Sequence, residues 1–325
     1  MTFSFSATPD FDFLTSFARH IRAEVHDNVL EIPKHLGHGY IRKIIFGSDF
    51  EITLHHFQLK EDLMIRRNAS AIASDLITVF FYSNDQPLEI TYNNNPQVQF
   101  SERDNSAIQV TSNDLSSVIC FPAQRLINYM VIAIRPDSLK EFISIDKPSS
   151  VLETITGNGS SFLFFENMAA ETKLLLKNMN AIDMGDMLSN FYVRIKVQEL
   201  LYHVFYKLSL REHANQAINS ADISRLLYIR DEIVRDLSKP PVLRELSQIA
   251  AMSETKLKSL FKQTYGTTIY NYFQQARMEE AAFLLKKGKR SVAQVGYDIG
   301  FTNLSHFSRL FERHYGQNPK RFSYS

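Results

Sequence analysis

Thr255, Lys258, Ser259 and Lys262 fall on one side of a segment with helical periodicity, and Ser305, His306, Arg309 and Arg313 do the same fifty residues later. Hydroxyl, imidazole, ammonium and guanidinium groups repeated at steps of three and four suit recognition of a polyanion. Near a helix N-terminus such groups reach base edges in a DNA major groove, where arginine binds guanine with two hydrogen bonds and serine or threonine meets bases or methyl groups. Arg309 is the foremost base-reading candidate. Lys262 and Arg313, further along their helices, are placed to meet phosphates, as is the cluster Lys286-Lys287-Gly288-Lys289-Arg290. A solvated helix end accounts for that cluster about equally well.

The elements carrying these groups form an internal repeat. Residues 255–266 and 305–316 match pairwise: Leu257 with Phe307, Leu260 with Leu310, Phe261 with Phe311, Tyr265 with Tyr315 and Gly266 with Gly316. The apolar members recur at i, i+3 and i+4, and each glycine suits the left-handed position that ends a helix. Upstream of each copy lies a shorter helix, with Leu243, Leu246 and Ala250 corresponding to Val292, Val295 and Ile299. The joining turns, Ala251-Met252-Ser253 and Gly300-Phe301-Thr302, each supply a small residue, an apolar plug and a hydroxyl to cap the next helix. Pro240-Pro241 precede the first unit, and Ser291 to Gln294 form a capping box opening the second. Two helix-turn-helix units are expected, at about 242–265 and 291–315; a plain helical bundle would not require the duplication.

Charge follows the same division. Residues 221–325 hold 17 Lys+Arg against 10 Asp+Glu, a net +7, and the remainder holds 19 against 25, a net −6. The basic part can approach a polyanion, although an excess of this size also occurs on ordinary surfaces.

At 325 residues the chain should form two domains. From about 40 to 136 it runs in short β-branched and aromatic segments, among them FEITLHHF, LITVFFYS and LINYMVIAI, separated by turn formers such as Gly47-Ser48-Asp49, Ser83-Asn84-Asp85 and Asn93 to Pro96. Some eight strands in a small antiparallel barrel are expected. From about 137 to 211 the pattern becomes helical. Met187, Phe191, Ile195, Leu200, Val204 and Leu208 recur along 184–210, and this helical layer could close the barrel, pair with a second subunit, or do both. The polar stretch 212–222 reads as a linker. The predicted class is α+β: a sensor or oligomerisation domain over 1–211, and an all-α DNA-binding domain over 223–325.

Several functions are excluded or weakened. The most apolar stretch, Leu200 to Leu210, is far shorter than the ~20 residues of a membrane span, and the N-terminus lacks the basic start of a secretory signal; a cytoplasmic protein is expected. The single cysteine, Cys120, sits in the apolar run SSVICF and reads as buried structure. A metal-dependent barrel enzyme would need His55 and His56, or His35 and His38, with a carboxylate such as Glu51. Adjacent His55 and His56 in a strand point to opposite faces, and His35 and His38 lie ahead of the first clear strand with no identifiable partners. No nucleophile elbow, phosphate loop or dinucleotide glycine pattern occurs, so no catalytic residue, metal or cofactor is expected.

The segment Leu226 to Phe322 resembles the DNA-binding domain of the AraC/XylS family of transcription regulators, in which two helix-turn-helix units flank a linking helix. The resemblance rests on LSQIAAMSETKLKSLFKQTYG, RMEEAAFLLKKGKRSVAQVGYDIGF and TNLSHFSRLFERHYGQNPKRF. The family pattern of the linking helix falls on Arg277, Ala281 and Leu284-Leu285, and the closing glycine and proline on Gly316 and Pro319. It implies base-facing positions at Thr255, Lys256, Lys258 and Ser259, and at Ser305, His306, Ser308 and Arg309. Ser247 and Gly296 stand where the family usually has alanine, and Ala251 where it usually has glycine; Gly296 in a helix interior implies local looseness. The resemblance further implies a cupin-like N-terminal barrel sensing a small-molecule effector, a homodimer, contact with RNA polymerase, and activation more than repression at double-stranded promoter or operator DNA. A ligand-free architectural DNA binder, whose barrel only oligomerises, stays open beside it.

Overall fold

The computed structural model describes the whole chain except residues 47–49, 71–74, 85–87, 92–97, 101–106, 145–146, 158–160, 181, 183–186, 212–217 and 325. The turns expected at 47–49 and 93–96, and most of the expected linker, lie outside the described residues. In order, the elements are β1 (Thr2–Ser6), α1 (Phe13–His20), β2 (Val25–His26), β3 (Val29–Glu31), β4 (Gly37–Phe46), β5 (Phe50–Leu59), β6 (Leu63–Asn68), β7 (Ile77–Tyr82), β8 (Leu88–Thr91), β9 (Val98–Phe100), β10 (Ile108–Ser112), β11 (Ser117–Phe121) and β12 (Leu126–Ile134), then α2 (Pro136–Ile143), α3 (Ser150–Thr156), β13 (Leu163–Glu166), α4 (Ala170–Asn180), α5 (Ser189–Ser209), α6 (Ser220–Arg235), α7 (Leu243–Ile249), α8 (Glu254–Tyr265), α9 (Ile269–Lys286), α10 (Val292–Asp298), α11 (Leu304–Tyr315) and α12 (Pro319–Phe322). The contacts divide the chain into two compact units, Met1–Ser224 with Gln263–Gly266, and Arg225–Lys262 with Thr267–Ser325.

The first unit is built on two sheets. One runs β13-β10-β7-β12-β5-β4-β3-β2 and the other β1-β6-β11-β8-β9. Every pairing is antiparallel except that of β1 with β6. The larger sheet is buried on both faces, which is why β7 and β12 read as nearly continuous apolar runs. One face presents Ile52, Leu54, Ile77, Val79, Met130 and Ile132 to a single core completed by α2–α5. The other turns Thr53, His55, Thr78, Phe80 and Tyr129 toward the smaller sheet.

The strand-rich region thus extends beyond 40–136 at both ends. β1 joins the smaller sheet beside β6, and β13 joins the edge of the larger one. His38, expected ahead of the strands, lies within β4 opposite Gln58. The helical layer covers the outer face of the larger sheet, and the residues read along 184–210 as one recurring set divide between two faces. Val193, Val197, Leu200, Leu201, Val204 and Leu208 are buried, whereas Met187, Phe191 and Ile195 are exposed. Two apolar stripes run along α5, and spacing alone does not say which faces the core. At the end of the expected linker, Asn219 accepts from the amide of Asp222 at 2.8 Å and starts α6, so Ser220–Asp222 are helical.

The second unit holds the repeated helices. Met278, Ala281, Leu285, Val295, Phe307 and Phe311 are core members around α9–α12. Among the described residues no helix is long and apolar enough to cross a membrane.

Candidate nucleic-acid interface

Each long helix of the repeat is set by its turn. Ala251 and Gly300 both adopt left-handed backbone, at φ 48° and 83°, which reverses the chain between the short and long helices. In the first unit the Ser253 hydroxyl accepts from the Lys256 amide at 3.2 Å. In the second the cap is Asn303, whose side-chain oxygen accepts from the His306 amide at 3.0 Å, and not the hydroxyl of Thr302. Asn303 stands fifty positions after Ser253, so the repeat itself carried that signal. The capping box at α10 is complete: the Gln294 amide donates to the Ser291 hydroxyl at 3.2 Å and the Ser291 amide to the Gln294 side chain at 2.8 Å.

With the caps fixed, the apolar repeat decides which way each helix faces. Leu257, Leu260 and Phe261 of α8, and Phe307 and Phe311 of α11, are buried. Thr255, Lys256, Lys258 and Lys262 are exposed on α8, and Ser259 is half-buried; on α11, Ser305, His306, Arg309 and Arg313 are exposed and Ser308 is half-buried. The ten candidates read on the two long helices therefore all lie at or beside the outer faces of α8 and α11, whereas the cluster 286–290 begins at the last residue of α9. The Arg309 side chain lies back along its own helix, its Nε donating to Ser305 O at 3.4 Å. His306 packs edge-on to Phe301. In the basic cluster, Lys287 lies over Phe283, Lys286 over Phe322, and Arg290 pairs with Asp298 at 2.8 Å, so these cations have partners within the unit.

Two small residues have roles that sequence reasoning missed. Gly296 is buried, and a Cβ there would meet Leu304 Cδ2 at 2.7 Å and Phe307 Cδ1 at 3.1 Å. It is a close-packing point between α10 and α11 and not the loose spot expected. Ser247 donates its hydroxyl to Arg244 O at 2.8 Å, within the turn of its own helix.

The first unit contains a cavity between its two sheets, of about 90 Å³, reached by Phe5, Phe11 and Phe13 from the N-terminal segment and by His55, Thr78 and Tyr129 from the larger sheet. His55 stacks on Tyr129 at 3.9 Å, and its Nε2 lies 3.1 Å from Thr53 Oγ1. Its Nδ1 and the Thr78 hydroxyl have no hydrogen-bond partner among the described residues. Burial holds the imidazole neutral, its pKa pushed down to about 3. A second cavity of about 150 Å³ shares Phe11 and Glu51 with the first. There Lys43 bridges Glu51 at 2.9 Å and Asp12, the cap of α1, at 3.1 Å. His56 faces away from the cavity, 2.6 Å from Asn128. Among the described residues no group of three His, Cys, Asp or Glu side chains is arranged to hold a metal ion. These lining residues come from separate stretches of sequence and carry no motif.

Residues 246–324 match the family model described as a helix-turn-helix domain. The chain is 32% identical over 123 residues to the transcriptional activator AggR of Escherichia coli, covering 37% of this chain and 46% of that protein. It is 28% identical over 151 residues to the DNA-binding dual transcriptional regulator Rns of Escherichia coli, covering 45% and 52%. The chain thus spans about half the length of the curated relatives it matches. Among solved structures it is similar to a transcriptional regulator with an AraC-type DNA-binding domain from Chromobacterium violaceum, with 25% identity, a TM-score of 0.30, and coverage of 32% of this chain and 94% of that one. It is also similar to an apo ToxT variant from Vibrio cholerae, with 13% identity, a TM-score of 0.33, and coverage of 85% and 97%. The duplicated units fall largely within the residues that the family model matches: the C-terminal part of the chain is a helix-turn-helix domain, in a chain similar to the transcription regulators AggR and Rns.

Proposed function

We propose that the protein is a sequence-specific transcription regulator that binds promoter DNA through α8 and α11, acts as two copies, and answers to a small molecule held in the first unit. The observation that carries this is the pair of capped helices, each burying its apolar repeat and exposing hydroxyl and cationic groups. Such helices fit successive major-groove segments on one face of DNA, about one turn or ~34 Å apart. If their spacing departs from straight DNA, either the DNA bends, at a cost of about 1–6 kcal/mol, or one unit engages alone.

Thr255, Lys256, Lys258 and Ser259, with Ser305, His306, Ser308 and Arg309, are then the base-facing set, and Lys262 and Arg313 the phosphate-facing pair. Residues 1–211 sense and pair, and residues 223–325 bind DNA. The sheet-lined cavity, with polar atoms of His55 and Thr78 left without partners, supports the effector reading over a ligand-free architectural role. AggR is named an activator, and activation through contact with RNA polymerase is the reading we carry to this chain. This is a binding protein's role and not an enzyme's, and it is exercised in the cytoplasm, where bacterial DNA lies.

The test is selection of bound sequences from random duplexes by the full-length protein, repeated with Arg309→Ala. An enriched site whose preference relaxes at one position in the variant supports the reading. Enrichment that Arg309→Ala leaves unchanged removes Arg309 from the interface, and absence of enrichment by the wild type, with and without cell extract supplying small molecules, overturns the reading.

A further inference from the structure

The two cavities of the first unit adjoin, since Thr8, Phe11, Glu51, Leu76 and Ala133 line both. An apolar cavity of ~150 Å³ holds one benzene ring. At about 90 and 150 Å³, the pair has room for one ring and several further heavy atoms. The space is long: Glu51, Thr53 and His55 all line it from β5, and four residues of strand span about 13 Å.

The two ends differ in chemistry. At the His55 end the walls are aromatic, with the Phe13 ring centred 5.6 Å from the imidazole and Tyr129 stacked on it. Such walls favour an aromatic guest, offset-stacked or edge-on. His55 Nδ1 is buried there without a hydrogen-bond partner among the described residues. With Nε2 held against Thr53 Oγ1, Nδ1 donates in one tautomer and accepts in the other, and a ligand hydroxyl answers both. The neutral imidazole calls for an uncharged group beside it.

At the Glu51 end lie charges of both signs. Lys43 bridges Glu51 and Asp12, and Arg135 reaches Asp10 at 3.3 Å. On the same row of the sheet, beyond Ala133, the Thr78 hydroxyl has no hydrogen-bond partner among the described residues. With Arg67 on the wall of the first cavity, the cations Lys43, Arg67 and Arg135 stand against the carboxylates Glu51, Asp10 and Asp12. A ligand with a net charge would leave that charge uncompensated in partly buried surroundings, whereas one carrying both signs would not.

We propose that the effector is an α-amino acid with a hydroxylated aromatic side chain. Its ammonium lies on Glu51, its carboxylate on Lys43, Arg135 and the Thr78 hydroxyl, its ring between the sheets, and its hydroxyl at His55 Nδ1. This gives a chemical class to the small molecule of the reading above, on which it rests.

The experiment is calorimetric titration of the full-length chain with L-tyrosine and with probes that each lack one group: L-phenylalanine without the hydroxyl, tyramine without the carboxylate, and hydroxyphenylpropionate without the ammonium. L-tyrosine should bind about tenfold or more tightly than each of them. Glu51→Gln should erase its advantage over hydroxyphenylpropionate, and His55→Phe its advantage over L-phenylalanine. Both are ratios within one variant, so partial unfolding does not alter them. Any of these probes, or a plain carboxylate such as benzoate, binding the parent chain as tightly as L-tyrosine overturns the amino-acid class and leaves the effector reading standing. So does the absence of binding by every probe while fractionated cell extract still raises the melting temperature of the chain. No response to probes or to extract overturns both.

Discussion

The guanidinium of Arg277 lies 3.8 Å above the ring of Phe301. From α9, Arg277 also donates its Nε to Ile299 O at 2.7 Å, at the C-terminal end of α10, and it is almost fully buried there. One side chain therefore fixes both the last carbonyls of the short helix and the apolar plug of the turn that launches α11.

Arg277→Leu should accordingly cost stability in the second unit while leaving the exposed face of α11 chemically unchanged. The loss combines a charge-assisted hydrogen bond, about 1.5–3 kcal/mol, with a desolvated cation–π contact of up to about 2 kcal/mol, offset in part by the apolar replacement. A net loss of about 2–4 kcal/mol should appear as a lower urea midpoint followed by helical circular dichroism. Arg277→Lys should recover only part of it, because an ammonium does not match the flat guanidinium stack. Wild-type stability in the leucine variant would show that the contact carries no weight.

The turn of the second unit gives a prediction about backbone. Gly300 and Gly316 both have positive φ, at 83° and 71°, but a Cβ on Gly300 would lie 2.0 Å from Ser238 O, while one on Gly316 meets nothing within 4 Å. Gly316→Ala should cost only the left-handed strain, about 1–2 kcal/mol, and Gly300→Ala should cost that and a further 1–3 kcal/mol of overpacking. The first unit's turn already bears such strain at Ala251, so Ala251→Gly should be neutral or stabilising by up to about 1 kcal/mol. Equal losses at Gly300 and Gly316 in thermal denaturation would contradict the difference in their surroundings.

How far these features were legible in the sequence depends on the range of the contacts involved. The two long helices could be read because Leu257, Leu260 and Phe261 repeat as Phe307, Leu310 and Phe311, and a local period carries that information. Arg277 was picked out by resemblance alone, since Ile299 and Phe301 lie more than twenty residues ahead and the local contact with Phe273 does not say that an arginine must be buried. β1 and β13 were missed because each is a short segment that becomes a strand only by pairing, with β6 and β10 respectively. On α5 the sequence held both stripes, and only the packing of Val193, Val197 and Leu200 against the sheet distinguishes the inner from the outer. The cavity around His55 is assembled from strands of both sheets, so no motif could announce it.

His55 supplies a pH prediction. Its pKa falls from the ordinary 6.5 to about 3 in the folded chain, because burial disfavours the imidazolium. Below pH 6.5 the unfolded state therefore takes up a proton that the native state refuses. Stability from this residue is complete above pH 6.5 and is lost as pH falls toward 3, at a rate approaching about 1.4 kcal/mol per pH unit. His55→Phe, which can still stack on Tyr129, should flatten the decline of first-unit stability between pH 6.5 and 5, where ordinary carboxylates are still mostly ionised. A wild-type slope in the variant would mean that some other group drives the loss.

The two kinds of contact proposed for α11 should separate in salt. Arg313 lies a full turn beyond Arg309, and both are exposed. If Arg313 meets phosphate, Arg313→Ala should weaken binding to every duplex alike and lower the slope of log affinity against log salt by about one unit. Arg309→Ala, removing a base contact, should cost about 1–3 kcal/mol on the selected site and far less on random DNA. On the first helix, Lys262→Ala should behave like Arg313→Ala, and Lys258→Ala should show a sequence-dependent loss. Fluorescence anisotropy with selected and scrambled duplexes at several salt concentrations measures all four. Interchanged behaviour of Arg309 and Arg313 would mean that α11 enters the groove by its C-terminal half, against the N-terminal entry proposed above.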